Sequence, residues 1–321
     1  MRKRTAFSGD VAGSGALMGR ARYLWLLLPI AGLVELGAFV HDARSAPRLD
    51  EWQAVRGEVA KLKGPGDLVV VAPEWTDPLA REAFGDALMP IANEARADDS
   101  PYARAIEVSE LSASAPEFAR WPTEETRDVG RFRLRVHRNP EPAKVLFSFL
   151  DHVRPQFLAV HEGATDERAC QFTAHAAVTA GGLHGHLAFP RERFNCGGEE
   201  FFVGVTILDD QNYRPRRCIW AHPRGTSVLR LNFSEVTIGR QIHGYAGLSY
   251  FLFRDGLHGP TLLTARVNGE EVGRYLHHDE LGWHGFDFDT SRFAGQIANV
   301  EFDVHSDDPS DRQFCFYADT R

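Results

Sequence analysis

The chain is 321 residues long, with 43% hydrophobic residues, 25% charged residues and a formal net charge of −8. That composition is globular and excludes wholesale disorder. The acidic balance argues against nucleic acid as a partner, because phosphate binding needs a basic footprint.

Residues 1–22 form a basic leader carrying Arg2, Lys3, Arg4, Arg20 and Arg22. The apolar run Tyr23–Val40, YLWLLLPIAGLVELGAFV, follows it. Its length approaches the roughly 20 residues that a bilayer's hydrocarbon core demands of a helix. The run therefore reads as a single N-terminal transmembrane helix. Basic residues ahead of it predict a cytoplasmic N-terminus in a bacterial inner membrane, with the bulk of the chain periplasmic. Cleavage as a signal peptide near Ala43-Arg-Ser-Ala46 fits less well, since arginine sits in the small-residue motif and the run is long. Glu35 is the one ionisable group inside the run. It either meets a second membrane helix bearing a basic group or lies at the outer interface.

Residues 50–160 read as a small α/β domain. Trp52, Val55, Val59 and Leu62 mark one face of a helix over 50–63, which Gly64-Pro65-Gly66 stops. Asp67–Ala72 is an apolar strand of the kind buried between helices. Pro78 opens a helix over Leu79–Leu88, with Thr76 or Asp77 as its cap. Tyr102–Ser109, Arg131–His137 and Val145–Val153 read as strands, and Glu117–Asp128 as an acidic loop. Glu74, Asp77 and Asp86 follow the apolar strand, where open α/β sheets place ligand sites. Helix capping, with Thr76 or Asp77 ahead of Pro78 satisfying the first amides, is the favoured reading of them. The order of Trp52 helix, Gly64-Pro-Gly-Asp-Leu-Val-Val-Val-Ala-Pro73, Asp77-Pro-Leu-Ala-Arg-Glu82 and Ala103–Ser109 resembles the extracytoplasmic tail of GT-C type membrane glycosyltransferases. The likeness covers residues 50–110. The chain lacks the multiple membrane helices and the catalytic acid of those enzymes, so the resemblance implies an accessory to glycan synthesis.

Residues 166–321 read as an all-β sandwich, with short runs punctuated by Gly, Pro, Asp and Asn. Asn268-Gly269 predicts a type I′ hairpin between two of them. Cys170, Cys196, Cys218 and Cys315 all fall in this half, which in an oxidising compartment means two disulfides. Of three connectivities, Cys196–Cys218 with Cys170–Cys315 is the favoured one. A zinc site using those thiolates with His175, His184 or His186 is the rival, although no C-x-x-C pair supports it. His184 and His186 alternate onto one strand face, but no third metal ligand can be named.

The stretch Leu263–Gly273, with Val-Asn-Gly, and Gly282-Trp-His-Gly-Phe-Asp-Phe288 resembles the last part of galactose-binding-like sandwiches (jelly rolls), the fold of many carbohydrate-binding modules. The terminal run Arg312–Tyr317 matches as well. That resemblance implies a saccharide ligand. Trp283 is then the ring for stacking on a sugar, with His277, His278 and Asp279 as hydrogen-bonding groups. The bland alternative places Trp283 in the core and leaves the histidines in a solvated turn. No cofactor or resident metal is expected. The favoured function is a non-catalytic, membrane-anchored envelope protein binding saccharide or a protein partner. An enzyme acting through Glu74 and Asp77, and a structural subunit held in a membrane complex through Glu35, are the alternatives.

Overall fold

The computed structural model describes residues 27–110, 113–163, 167–176, 189–197, 201–225, 227–249, 259–278, 281–307 and 313–321. Helix α1 (Leu27–Ser45) comes first, with Leu28, Leu33, Val34 and Phe39 exposed around it. Among the described residues no helix is long and apolar enough to cross a membrane. The helix carries Glu35, Asp42 and Arg44, and residues 23–26 of the expected span lie outside the described residues.

Helix α2 (Leu49–Leu62) follows, and its Glu51 carboxylate accepts from the Arg48 amide at 2.8 Å. Trp52, Val55 and Val59 bury its inner face, as their spacing requires. Strand β1 (Leu68–Ala72) leads through a short turn into helix α3 (Asp77–Phe84), followed by the single-turn α4 (Ile91–Glu94). Neither Thr76 nor Asp77 caps α3 with its side chain. The Thr76 hydroxyl donates to Pro73 O, and the Asp77 carboxylate is held by Arg81 at 3.0 Å instead. Strands β2 (Arg104–Glu110), β3 (Thr123–Val129) and β4 (Phe132–Arg138) complete a four-stranded sheet of order β1-β2-β4-β3. The β1–β2 pair is parallel and the rest antiparallel.

The acidic stretch 117–128 is in part this strand β3, not a loop. Its alternation is hidden because it is an edge strand, largely exposed along its length. Cross-strand ion pairs replace apolar contacts there: Arg133 meets Asp128 at 2.7 Å and Arg138 meets Glu124 at 3.0 Å.

The sandwich strands are β5 (Phe147–Ser148), β6 (Leu158–Glu162), β7 (Arg168–Ala169), β8 (Gln171–Thr173), β9 (Arg193–Asn195), β10 (Phe202–Asp209) and β11 (Pro215–Ala221). Then come β12 (Leu229–Thr237), β13 (Gln241–Leu248), β14 (Thr261–Val267), β15 (Glu270–His277), β16 (His284–Asp289), β17 (Ile297–Ser306) and β18 (Phe314–Thr320). Among the described residues one sheet runs β16-β13-β18-β11-β10-β9-β8, with β5 alongside β18, and the other runs β15-β14-β17-β12-β6-β7. Strands β5 and β6 thus belong to the sandwich, although their sequence position suggests the α/β domain. The core between the sheets is filled by Phe149, Leu231, Phe233, Phe302 and Phe316, among others. Asn268 and Gly269 both have positive φ, 51° and 83°, the geometry a type I′ hairpin requires.

The disulfides pair Cys170 with Cys196 and Cys218 with Cys315, correcting the favoured connectivity. Strand adjacency decides it. Cys170 and Cys196 flank the antiparallel β8–β9 pair, while Cys218 on β11 lies beside Cys315 on β18, whose register partner is Trp220.

Candidate functional site

The α/β domain and the sandwich meet along residues 95–100, which lie against the outer face of β11, β13 and β18. Several polar contacts fasten them. The Arg217 amide donates to Ala95 O at 2.5 Å, and the Arg216 guanidinium donates to Arg96 O at 3.2 Å. The Trp283 indole donates to Ala97 O at 3.1 Å. Arg321 bridges Asp98, at 2.5 Å, to Asp319.

A cleft of about 220 Å³ opens at this seam, beyond the C-terminal end of β1. Open α/β sheets place ligands outside the carboxyl ends of their strands. Here the second wall is the sandwich. Trp283 and Tyr245 line that wall as near-parallel rings, with centroids 6.3 Å apart and planes 5° from parallel. Gly247 on β13 lies beneath the indole, where a Cβ would stand 2.8 Å from the ring. The Arg216 guanidinium sits 5.9 Å from the same ring. Burial pushes the Tyr245 phenol up to about 12, helped by the charge of Asp98. It therefore stays a neutral hydroxyl.

The charged groups of the cleft are largely neutralised among themselves. Arg214 pairs with Glu74 across the seam at 2.8 Å, and Arg216 with Asp210 at 2.9 Å. Arg96 pairs with Asp99 and, at 3.6 Å, with Glu117. Every arginine in the lining already has a carboxylate, so the cleft suits a neutral polar ligand better than an anion.

Glu94 has the most displaced acidity here. Burial first, then the nearby Asp77 charge, push its carboxyl up to about 7, against the opposing charges of Arg96 and Arg81. Arg81 lies 3.0 Å from Asp77 and 3.7 Å from Glu94, so a proton and a guanidinium share the balancing of two carboxylates. A carboxyl bound more tightly to its proton in the folded state stabilises fully below its unfolded value of 4.5 and loses that contribution as pH rises through 7. Urea unfolding is expected to give a stability lower by at most about 2 kcal/mol at pH 8.5 than at pH 5.5, the whole linkage value for a carboxyl shifted from 4.5 to about 7. Glu94→Gln flattens that slope. An unchanged slope in the variant assigns it to other groups.

The other residues singled out by sequence fall in different places. Glu74 and Trp283 share the cleft, and Asp77 lies just outside it against Arg81. Asp86 is exposed and lines no part of it. His277 is on β15, 0% exposed, with its ring 6.0 Å from Phe314 and Tyr275 Oη 3.1 Å from its Nδ1. Burial, then the charges of His284 and His278, push its pKa down to about 4, so it is a neutral core residue. His278 is exposed beside it, and Asp279, His184 and His186 lie outside the described residues. Among the described residues no group of three or more His, Cys, Asp or Glu is placed to hold a metal. Tyr245, Arg214 and Glu94 had no distinguishing signal in the sequence, because the seam between two domains brings them together.

No known protein family matches the chain, and no curated protein does. Solved structures are similar at low scores. One contains the CBM51-2 and INT domains of Clostridium perfringens ZmpB in complex with GlcNAc, with 9% identity, a TM-score of 0.28, and coverage of 65% of this chain and 43% of that one. Another is a carbohydrate-binding module studied for mannan recognition, with 11% identity, a TM-score of 0.26, and coverage of 40% and 86%. A third holds the M60 catalytic domain with both CBM51 domains of Clostridium perfringens ZmpB, with 8% identity, a TM-score of 0.30, and coverage of 63% and 20%. The chain thus spans less than half of the first structure's length, and likeness at these scores assigns no function.

Proposed function

We propose that this is a membrane-anchored envelope protein that binds a neutral saccharide, without transforming it, in the cleft between its two domains. The observation that carries this reading is the Trp283–Tyr245 ring pair beside arginines already paired to carboxylates. Flat apolar rings take the C–H faces of sugars, and surrounding polar groups take their hydroxyls. The anchor is the segment 23–40. Apart from Glu35, its described part up to Val40 is apolar and exposed, which is the pattern of a helix that buries itself in lipid or in another protein. Two disulfides suit an oxidising compartment outside the cytosol.

A glycan array probed with the full chain in detergent tests the binding. Trp283→Ala and Tyr245→Ala are each expected to weaken the bound glycans about tenfold, the size of one lost ring contact. Since Trp283 also fastens the seam, Glu74→Gln serves as the milder variant and lowers affinity with the fold intact. An array on which no glycan is retained ends the saccharide reading. Recovery of the chain in the soluble fraction after carbonate extraction ends the membrane one.

A second reading is favoured by one feature, the carboxyl of Glu94 beside Asp77, pushed up to about 7 by burial and that neighbouring charge. A carboxyl poised near neutral pH is what a general acid in glycoside hydrolysis needs. Turnover of aryl glycosides that disappears in Glu94→Gln would establish that alternative.

A further inference from the structure

Next to the seam cleft lies a second, wider depression of about 540 Å³, and the two share Glu74, Glu94 and Pro215 in their walls. They are therefore adjacent, with these three residues forming the boundary between them. The second part is bordered by Trp75, 64% exposed, and Tyr213, 69% exposed. With Ile91, 49% exposed, in the same lining, they make an apolar patch of the kind that marks a ligand groove.

Both rings are presented by fixed backbone. Trp75 sits in the turn Glu74–Thr76, where the buried Thr76 ties back to Pro73 O through its amide at 3.0 Å and its hydroxyl at 2.7 Å. Tyr213 sits at the tip of the β10–β11 hairpin with φ of 60°, a conformation that side-chain-bearing residues avoid. Buried Asp210 enforces that shape by accepting from the amides of Asn212 at 2.8 Å and Arg214 at 3.1 Å, and from Arg216 at 2.9 Å. Strain retained at an exposed aromatic, next to a groove, is a mark of use rather than of packing.

Resting on the saccharide reading, we infer that the ligand is a linear neutral oligosaccharide spanning two subsites, one at Trp283–Tyr245 and one at Trp75–Tyr213. Neutrality follows from the pairing of Arg214 with Glu74 between the two subsites. Length follows from two ring-lined depressions standing side by side. One domain supplies Trp75 and the other Tyr213, so a bound chain bridges the seam.

Calorimetric titration of the full chain in detergent with glucose, mannose and galactose oligomers of one to six units tests this. For whichever series binds, affinity is expected to rise at least about tenfold beyond the single sugar, the value of one further ring contact. Trp75→Ala and Tyr213→Ala should each remove most of that gain and leave single-sugar affinity unchanged. Both rings are exposed, so the variants fold, which a melting curve verifies. Affinity independent of length, or variants that bind long oligomers like the wild type, overturns the second subsite while leaving saccharide binding in place. Tighter binding of matched uronic-acid oligomers overturns the neutral assignment. No binding of any neutral oligomer overturns the function and the second subsite together.

Discussion

Replacing Cys218 and Cys315 together by alanine is expected to lower the unfolding free energy by about 4 to 5 kcal/mol. The bridge closes a loop of 97 residues, from β11 to β18. Holding together the ends of a loop that long removes about 4.7 kcal/mol of entropy from the unfolded chain in the loop-closure treatment. The bridge Cys170–Cys196 closes only 26 residues and is worth about 3.5 kcal/mol by the same rule. The longer bridge also lies under the candidate site. Cys218 and Cys315 are buried in a small cluster with Phe202, Leu208 and Trp220, on which Trp283 packs. Guanidinium unfolding of the oxidised wild type and the double variant measures the loss. A reducing agent added to the wild type should move its curve further than the double replacement does, because both bridges open. A loss below about 1 kcal/mol would mean that the unfolded chain is already constrained near these residues. Peptide mapping after alkylation reads the connectivity itself.

The parts of this architecture that were legible in the sequence are those set by local periodicity and turn chemistry. The Trp52, Val55, Val59 spacing placed α2, the run Leu68–Ala72 placed β1, and Asn268-Gly269 placed the β14–β15 hairpin to the residue. Properties set by neighbours distant in sequence were not legible. Cysteine pairing depends on which strands are adjacent, and β11 neighbours β18 only after a long excursion through the other sheet. Strand β3 was obscured because its carboxylates, which read as a loop, are satisfied by arginines of β4. His277 and Trp283 stand close in the sequence, yet the end of β15 turns one into the core and the other onto the seam. Trp75 and Tyr213 were passed over for the same reason. Each is an ordinary turn residue by itself, and the groove that gives them meaning needs both domains.

Glu107→Ala is expected to cost about 3 to 5 kcal/mol, the size of effect seen when one member of a buried ion pair is removed. Glu107 is 0% exposed on β2. Its carboxylate accepts from Arg135 at 2.5 Å, is 3.0 Å from His137 Nε2, and accepts from the Ala115 amide at 3.3 Å. Burial is the largest single influence on this carboxyl and would raise it. The hydrogen bond with His137, the Ala115 amide and the charge of Arg135 together outweigh it and hold the group below the ordinary carboxylate range. A carboxyl lowered in the folded state stabilises fully above its unfolded value of 4.5 and loses that contribution as pH falls through its folded value. The slope is opposite to that of Glu94, so wild-type stability should peak between the two, and Glu107→Gln should make the acid limb shallower without touching the alkaline one, Asp98 supplying part of what remains. The network also reaches the cleft. Arg135 donates to Ala113 O at 3.0 Å, so Glu107 and Arg135 together clamp the segment that carries Glu117 up to Arg96. Removing Glu107 frees that segment, and saccharide affinity is expected to fall along with stability. Replacing Glu107, Arg135 and His137 together by apolar residues of similar volume should restore much of the stability, since no buried charge is then left unpaired. It should not restore affinity, because the clamp on residues 113–118 is still missing. Recovery of both would show that the segment is held by packing of Phe118 rather than by these hydrogen bonds.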